Sequence, residues 1–369
     1  MKQKVLPTMN NQKDALDFLE TIGTQKSLNS ELKTKTATIL YDFFVSEDEA
    51  TFKQFMQKAQ EIRNKIYSNK VFLRGLIEFS SYCKNTCKYC GLNIKNKDIQ
   101  RYRLTTEEIL QAVEKINQAN IKTVVLQAGE EIFPEGFISD LIIKIKKLNP
   151  QMAVTLSLGE QNYKNLQTWK NAGADRYLLR IESSTKNHYE YLHCNRTIET
   201  RLECLKNLQK LKYQTGSGIM TGLPNQDIKM IVDDILFFHE NKFQMLGIGP
   251  FIPHHQTEFA NKPKGTAKLT LKTIIATRIL NPCALIPATT ALGSLDKDYR
   301  TQALLCGANV LMPNFTPQQQ KLQYEIYPNK KCINENFTET SNNTFSDLEK
   351  LVKDANMVLD FSRGDAVLQ

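Results

Sequence analysis

Phe79-Ser80-Ser81-Tyr82-Cys83-Lys84-Asn85-Thr86-Cys87-Lys88-Tyr89-Cys90-Gly91 sets three cysteines at C-x3-C-x2-C spacing directly behind an apolar run at 71–79. A short loop with this spacing can turn all three thiolates toward one soft metal centre. In a 4Fe–4S cubane each iron needs an outer ligand, so three cysteines leave one iron open. An open coordination position belongs to a centre that performs chemistry rather than one that holds a fold. Two plainer readings stay open: a structural zinc knuckle, and a chance grouping of buried cysteines. The zinc reading lacks a local fourth ligand, because His188, His193, His239, His254 and His255 all come roughly a hundred residues or more later.

At 369 residues the chain has room for two average domains or one large barrel, and 41% hydrophobic content suffices for a sizeable core. No apolar run is long enough to cross a bilayer. Residues 1–19 mix Lys, Gln, Asn and Asp without an apolar centre, so no secretory signal is expected, and Asp14, Asp17 and Glu20 argue against a transit peptide. The eight cysteines, grouped for metal rather than scattered through a small domain, fit a reducing compartment, and a cytoplasmic location is expected. The formal charge of +9 comes largely from lysines spread along the chain among Asn and Gln. With no Arg-rich block or aromatic–basic ladder, this reads as a solvated basic surface; no membrane and no nucleic-acid partner is expected, while a phosphorylated cofactor or an acidic protein partner stays open.

Residues 1–70 read as helices. Ala15, Leu16, Phe18, Leu19 and Ile22 share one face, Ile39, Leu40, Phe43, Phe44 and Val45 a second, and Phe52, Phe55, Met56, Ala59, Ile62 and Ile66 a third. The block has no chemical motif and is expected to be a lead-in that closes the bottom of the main domain. From 71 onward strands and helices alternate. The strand candidates are 71–79, 122–127, 152–158, 176–182, 213–219, 243–249, 283–288 and 308–312; helical patterns lie at 106–118, 138–148, 197–211, 228–240, 269–280 and 295–306. This alternation predicts an α/β chain folded as a (β/α)8 TIM-type barrel with an N-terminal helical extension, an open doubly wound sheet being the alternative. The expected division is lead-in 1–70, barrel 71–330 and C-terminal extension 331–369, the last polar and then ending in a short helix pattern at 348–359.

A barrel of this type keeps its active site at the C-terminal ends of its strands. The cysteine loop follows the first strand, and polar or glycine-rich groups end the others: 127–131; Thr155, Ser157 and 159–160; Arg180 and Glu182; Gly216, Gly218 and Gly222; Gly247 and Gly249; 288–291; Pro313 and Asn314. Each has a structural reading too. Gly129 fits a tight turn, Glu130 a solvated surface, and the 216–222 glycines relief of strand–helix crowding. Arg180 and Glu182 flank Ile181 and so share the side of Leu178, taken as the barrel interior. Charges there must be paired or used, a structural ion pair being the plain reading. Arg201 starts a helix, where a surface arginine is the default.

The cysteine loop with Tyr89 resembles the radical S-adenosylmethionine (SAM) superfamily. Further stretches are similar to one branch, the FeFe-hydrogenase maturases of the HydE family: 77–80, 101–105, 154–160, 173–180, 247–254 and 286–291. The similarity runs from about residue 50 to 330, and biotin synthase and methylornithine synthase are cousins sharing barrel and loop. The resemblance implies that Cys83, Cys87 and Cys90 hold a 4Fe–4S cluster with SAM on its open iron. It implies that Tyr89 lies by the adenine, that Gln127, Glu182 and Arg201 hold SAM, and that Ser157 borders that site. Arg201 suits the methionine carboxylate through its fork geometry. Arg74, Thr155, Arg176, Arg180, Thr289, Thr290 and Tyr324 match cavity positions suited to an anionic, carboxylate-bearing substrate. One departure matters: where several relatives carry an auxiliary cluster at C-x7-C-x2-C, this chain has Cys332, Thr340 and Asn343, so no complete auxiliary cluster is expected and Cys332 reads as an idle surface thiol. Cys194, Cys204, Cys283 and Cys306 read as small apolar fillers.

The implied function is a radical SAM enzyme that binds a 4Fe–4S cluster, reductively cleaves SAM to a 5′-deoxyadenosyl radical and acts in FeFe-hydrogenase maturation. Its substrate would be a small molecule or iron synthon, a cysteine-ligated iron carbonyl cyanide unit, with a tyrosine-lyase-type maturase, a scaffold GTPase and a reducing electron donor as partners. A radical-SAM amino-acid mutase such as a methylornithine synthase is the alternative. The non-enzyme alternative is a basic zinc-binding module touching nucleic acid.

Overall fold

The computed structural model describes residues 12–333 and 345–368; Thr340 and Asn343, the auxiliary-cluster positions, lie outside them. The chain opens with α1 (Gln12–Thr24), α2 (Ser30–Val45) and α3 (Glu49–Tyr67). Asn29 caps α2 by accepting from Leu32 N at 2.8 Å, and Asp48 caps α3 by accepting from Thr51 N at 2.8 Å. Both side chains satisfy amides that a helix start leaves without an intrahelical acceptor.

Beyond the lead-in come β1 (Lys70–Leu73), β2 (Gly75–Ser80), α4 (Thr106–Gln118), β3 (Thr123–Ala128), α5 (Phe137–Leu148), β4 (Ala153–Ser157), α6 (Tyr163–Asn171) and β5 (Arg176–Leu178). Then follow α7 (Lys186–Leu192), α8 (Ile198–Lys210), β6 (Gln214–Thr221), α9 (Ile228–Asn241), β7 (Met245–Pro250) and α10 (Ala267–Leu280). The described chain finishes with α11 (Thr290–Gly293), α12 (Arg300–Leu305), β8 (Val310–Leu311), α13 (Gln318–Gln323), α14 (Ser346–Lys353) and β9 (Val358–Asp360). Strands β2 to β7 form one parallel six-stranded sheet in sequence order. Its two edges meet through single parallel bridges, Met245 to Leu285, Pro287 to Val310 and Leu76 to Asn314, which complete an eight-stave ring. The (β/α)8 reading holds, and the open sheet does not. Among the described residues no helix is long and apolar enough to cross a membrane.

Three expectations are corrected. The first strand breaks at Arg74 into β1 and β2, and the seventh candidate, 283–288, is held by bridges alone. The lead-in does not close the bottom. Its helices pack on α9 and α10, so α10 is covered on both sides and every residue from Thr270 to Leu280 is buried. A helix wrapped in this way loses its polar stripe. Gly23 of α1 lies so close to α10 that a Cβ would come within 2.4 Å of Ile279 O. Lys272 of α10 donates to Phe43 O, Phe44 O and Ser46 O at 3.1, 3.0 and 2.5 Å, placing a cation on carbonyls that the end of α2 leaves open.

The barrel's N-terminal end is closed instead by residues 358–367. The helix pattern at 348–359 ends at Lys353, and β9 pairs in parallel with β1. Arg176, fully buried at the start of β5, donates to Arg363 O at 2.7 Å and to Asp365 Oδ1 at 2.6 Å. Thr123 Oγ1 also donates to Arg363 O, at 2.9 Å, and Gln214 Nε2 reaches Asp365 at 2.6 Å.

Asp234 of α9 is wholly buried beneath the segment that follows β5. Its Oδ1 accepts from Ser184 N and Ser184 Oγ at 2.5 and 2.6 Å, while Oδ2 has no partner. Burial pushes this carboxyl up to about 7 from 3.8. A carboxyl raised in the folded state binds its proton more tightly there than in the unfolded chain, so stability falls as pH climbs from about 4 to about 7. Asp234→Asn keeps an acceptor for Ser184 and removes that penalty. Urea unfolding should show the variant gaining on the wild type by on the order of 4 kcal/mol between acid and mildly alkaline pH. A pH-independent difference between the two would refute the assignment.

Candidate functional site

The site is built from the loop between β2 and α4, at the C-terminal end of the barrel. Arg101 shapes this loop from within: Nη1 donates to Ser81 O and Leu92 O at 2.7 and 3.1 Å, and Nη2 to Asn93 O and Asn96 O at 2.8 and 3.3 Å. Asn93 Nδ2 donates to Cys90 O at 2.7 Å, and Asn96 Nδ2 to Gly91 O at 2.8 Å. Neighbouring loops press against it. Lys84 N donates to Glu130 O at 2.8 Å and Lys88 N to Leu192 O at 3.1 Å. Gly129 sits so close that a Cβ there would lie 2.2 Å from Tyr82 O, which makes this glycine a contact requirement rather than only a turn.

Cys83, Cys87 and Cys90 are free and half-buried on that loop. Burial, and then the neighbouring Cys83, push the Cys87 thiol up to about 12; burial raises Cys83 and Cys90 as well. Three crowded sulfurs that resist negative charge suit a cationic metal group, whose charge replaces the protons. Among the described residues no three His, Cys, Asp or Glu side chains converge on a single metal ion.

Tyr89 and Cys90 border a cavity of about 340 Å³ running into the barrel. Gln127, Ser157, Arg180, Glu182, Thr289, Thr290 and Tyr324 line it, together with Glu78, Met220, Met312, Tyr327 and Lys330, which the sequence reading did not single out. Gln127 Nε2 donates to Tyr324 Oη at 3.3 Å. Arg180 Nη2 donates to Glu182 Oε2 at 3.0 Å and to Ile219 O at 2.6 Å, so the structural ion pair is present and also faces the cavity. Glu182 has φ of 61°, a left-handed conformation that costs a non-glycine residue strain and recurs at functional positions. Burial raises its carboxyl, against the pull of Arg180 and Arg201. Across the cavity Lys330 Nζ donates to both oxygens of buried Glu78, at 2.7 and 2.8 Å, and to Tyr324 O at 2.9 Å. All three of its donors are used, so Lys330 pins the 324–330 segment over the cavity rather than offering a free charge.

Arg201 is buried but does not line the cavity. Its Nε donates to Glu160 Oε1 at 2.7 Å and Tyr189 Oη at 3.1 Å, and its Nη1 to Arg180 O at 2.9 Å. Burial opposes its charge, yet Tyr189, Glu160 and Glu130 outweigh that and hold the guanidinium protonated. Glu130 is buried, not solvated: it accepts from Arg196 and from Glu160 N. Arg74, Thr155 and Arg176 also stand outside the cavity lining. Arg176 is spent on Asp365 at the other end. Arg74 gives one nitrogen to Met245 Sδ at 3.0 Å and leaves Nε and Nη2 unpaired, and the Thr155 hydroxyl has no partner. Cys332 is half-buried, with Asn314 Nδ2 3.5 Å from its sulfur, so it is not the surface thiol expected. Cys204 and Cys306 are buried fillers, whereas Cys194 and Cys283 are half-buried.

Residues 77–238 match the Radical SAM superfamily profile. The "[FeFe] hydrogenase maturase subunit HydE" of Thermotoga maritima is 45% identical over 309 residues, 84% of this chain and 88% of that protein. The "3-methylornithine synthase" of Methanosarcina acetivorans is 28% identical over 281 residues, 75% of this chain and 78% of its own length. Among solved structures, methylornithine synthase (PylB) superposes with a TM-score of 0.76 at 22% identity, covering 94% of this chain and 97% of its own, a likeness of fold.

Proposed function

This chain belongs to the HydE family of FeFe-hydrogenase maturases, within the radical SAM superfamily, and from that premise we propose roles for its site residues and a class of substrate. It is a radical SAM enzyme of FeFe-hydrogenase maturation, with a 4Fe–4S cluster and SAM as cofactors. A reduced cluster held there would supply the one electron for reductive cleavage of the SAM sulfonium to methionine and a 5′-deoxyadenosyl radical. The zinc-module reading falls with this membership, and the mutase reading has only the weaker likeness behind it.

Cys83, Cys87 and Cys90 would hold the cluster. One observation carries this assignment: three free thiols share a loop whose last two residues before Gly91, Tyr89 and Cys90, border a cavity inside the barrel. Tyr89 is assigned to the adenine, and Gln127, Ser157 and Glu182 to SAM. Arg201 is assigned to its carboxylate through Nη2, the nitrogen not engaged by Glu160, Tyr189 or Arg180 O. Arg180, Thr289, Thr290 and Tyr324 are assigned to substrate; the unpaired, buried Thr289 hydroxyl supports this. Arg74 and Thr155, with unpaired buried donors, support a deeper anion position, whereas Arg176 is already met by Asp365.

The proposed substrate is a cysteine-ligated iron carbonyl cyanide unit. A tyrosine-lyase-type maturase, a scaffold GTPase and a low-potential electron donor in the cytoplasm are the proposed partners. The proposed division keeps 1–70, 71–330 and 331–369, and one cluster per chain, since Cys332 lacks cysteine companions at 340 and 343. Expression in a strain that makes FeFe hydrogenase but lacks its own maturase of this type should restore hydrogen evolution. SAM cleavage by the purified protein without such rescue would overturn the substrate assignment.

A further inference from the structure

We infer that His193 is a positioning residue for SAM, acting through Tyr89. The inference rests on the assignment of Tyr89 to the adenine. Tyr89 Oη lies 2.8 Å from His193 Nε2, and the two rings meet edge to face at 88° with centroids 5.5 Å apart. The other ring nitrogen, Nδ1, is 2.9 Å from Tyr189 O. A carbonyl oxygen only accepts, so Nδ1 carries the hydrogen and Nε2 offers its lone pair. The Tyr89 hydroxyl is therefore the donor, and its direction is set by the histidine.

His193 cannot drift. It is buried, it ends α7 with its amide bonded to Tyr189 O at 2.9 Å, and its ring stacks on Tyr189 with centroids 4.2 Å apart. The Tyr189 hydroxyl takes a hydrogen bond from Arg201 Nε at 3.1 Å. A rigid relay thus runs from the guanidinium assigned to one end of SAM, through Tyr189 and His193, to the aromatic ring assigned to the other. Tyr89 itself lies on a loop, and its phenol also reaches the Cys87 sulfur; with that sulfur committed to a cluster, His193 is the acceptor left to direct the ring.

The test uses full-length protein reconstituted with iron and sulfide under anaerobic conditions. His193→Phe should load iron as the wild type does but raise the dissociation constant for SAM about tenfold, with KM for SAM rising and kcat held. His193→Gln, which offers one acceptor to Tyr89 and one donor to Tyr189 O, should recover most of that loss. Tyr89→Phe should lose the same factor, and adding His193→Phe to it should cost nothing more. Equal losses in both backgrounds, no rescue by glutamine, or unchanged SAM affinity in His193→Phe would each overturn the inference. Tyr89→Leu separates it from its premise: unchanged affinity there removes the adenine assignment and this inference together. Weakened binding in Tyr89→Leu with none in His193→Phe removes the inference alone.

Discussion

Replacing Cys87 by alanine should reduce 5′-deoxyadenosine release by dithionite-reduced protein to the background of iron-free material. Cys87 is the middle sulfur of the trio, and the loop around it is held by Arg101 at Ser81 O and Asn93 O and by Asn93 at Cys90 O. Two thiols cannot take its place, because none of the other five cysteines belongs to this loop. The wild type should load about four irons per chain after reconstitution, and the variant distinctly fewer. Circular dichroism and the thermal midpoint should hardly move, since the half-buried thiol contributes little packing. Undiminished 5′-deoxyadenosine from the variant would end the account, and two additional irons in the wild type would restore an auxiliary cluster.

Arg201→Gln should carry the second-largest loss. The guanidinium is buried, and three of its hydrogen bonds go to Glu160, Tyr189 and the Arg180 carbonyl. That brace aims the remaining nitrogen and keeps the charge from swinging. Glutamine restores one donor and no charge, so the dissociation constant for SAM should rise by about a hundredfold, close to 3 kcal/mol for a lost charge-assisted contact. Iron loading should be kept, because Glu160 stays paired with Arg196 at 3.2 Å. Tyr189→Phe is the control: it removes a neutral contact and leaves the charge, and should cost far less. Normal SAM binding by an iron-loaded Arg201→Gln protein would refute the role.

Much of the barrel was legible because its signals are local. Spacing within 83–90 is a property of one loop, whose Tyr89 and Cys90 border the cavity; Arg180 and Glu182, just past the end of β5, line it too. What stayed hidden depends on partners far apart in the chain. Glu78 meets Lys330 across 252 positions, and Glu130 meets Arg196 across 66, and no local pattern marks either acid as buried. His193 looked like a lone histidine until Tyr89 was set against it. Arg74 and Arg176 stand outside the cavity lining for a related reason. The reading matched them to the cavity without their depth, which lies nearer the far end: Arg176 begins β5, and Arg74 sits at the break between β1 and β2. The seventh stave was short of backbone partners on each side, so it reads as a strand in sequence and as bridges in space.

The pairing of β9 with β1 joins Val358 to Lys70, nearly the full span of the barrel. Contacts so distant in sequence are the slowest to form, because the intervening chain must be ordered first. On a ribosome, the first strand would wait with one edge bare until the chain had emerged as far as residue 360, a period in which another chain could pair there instead.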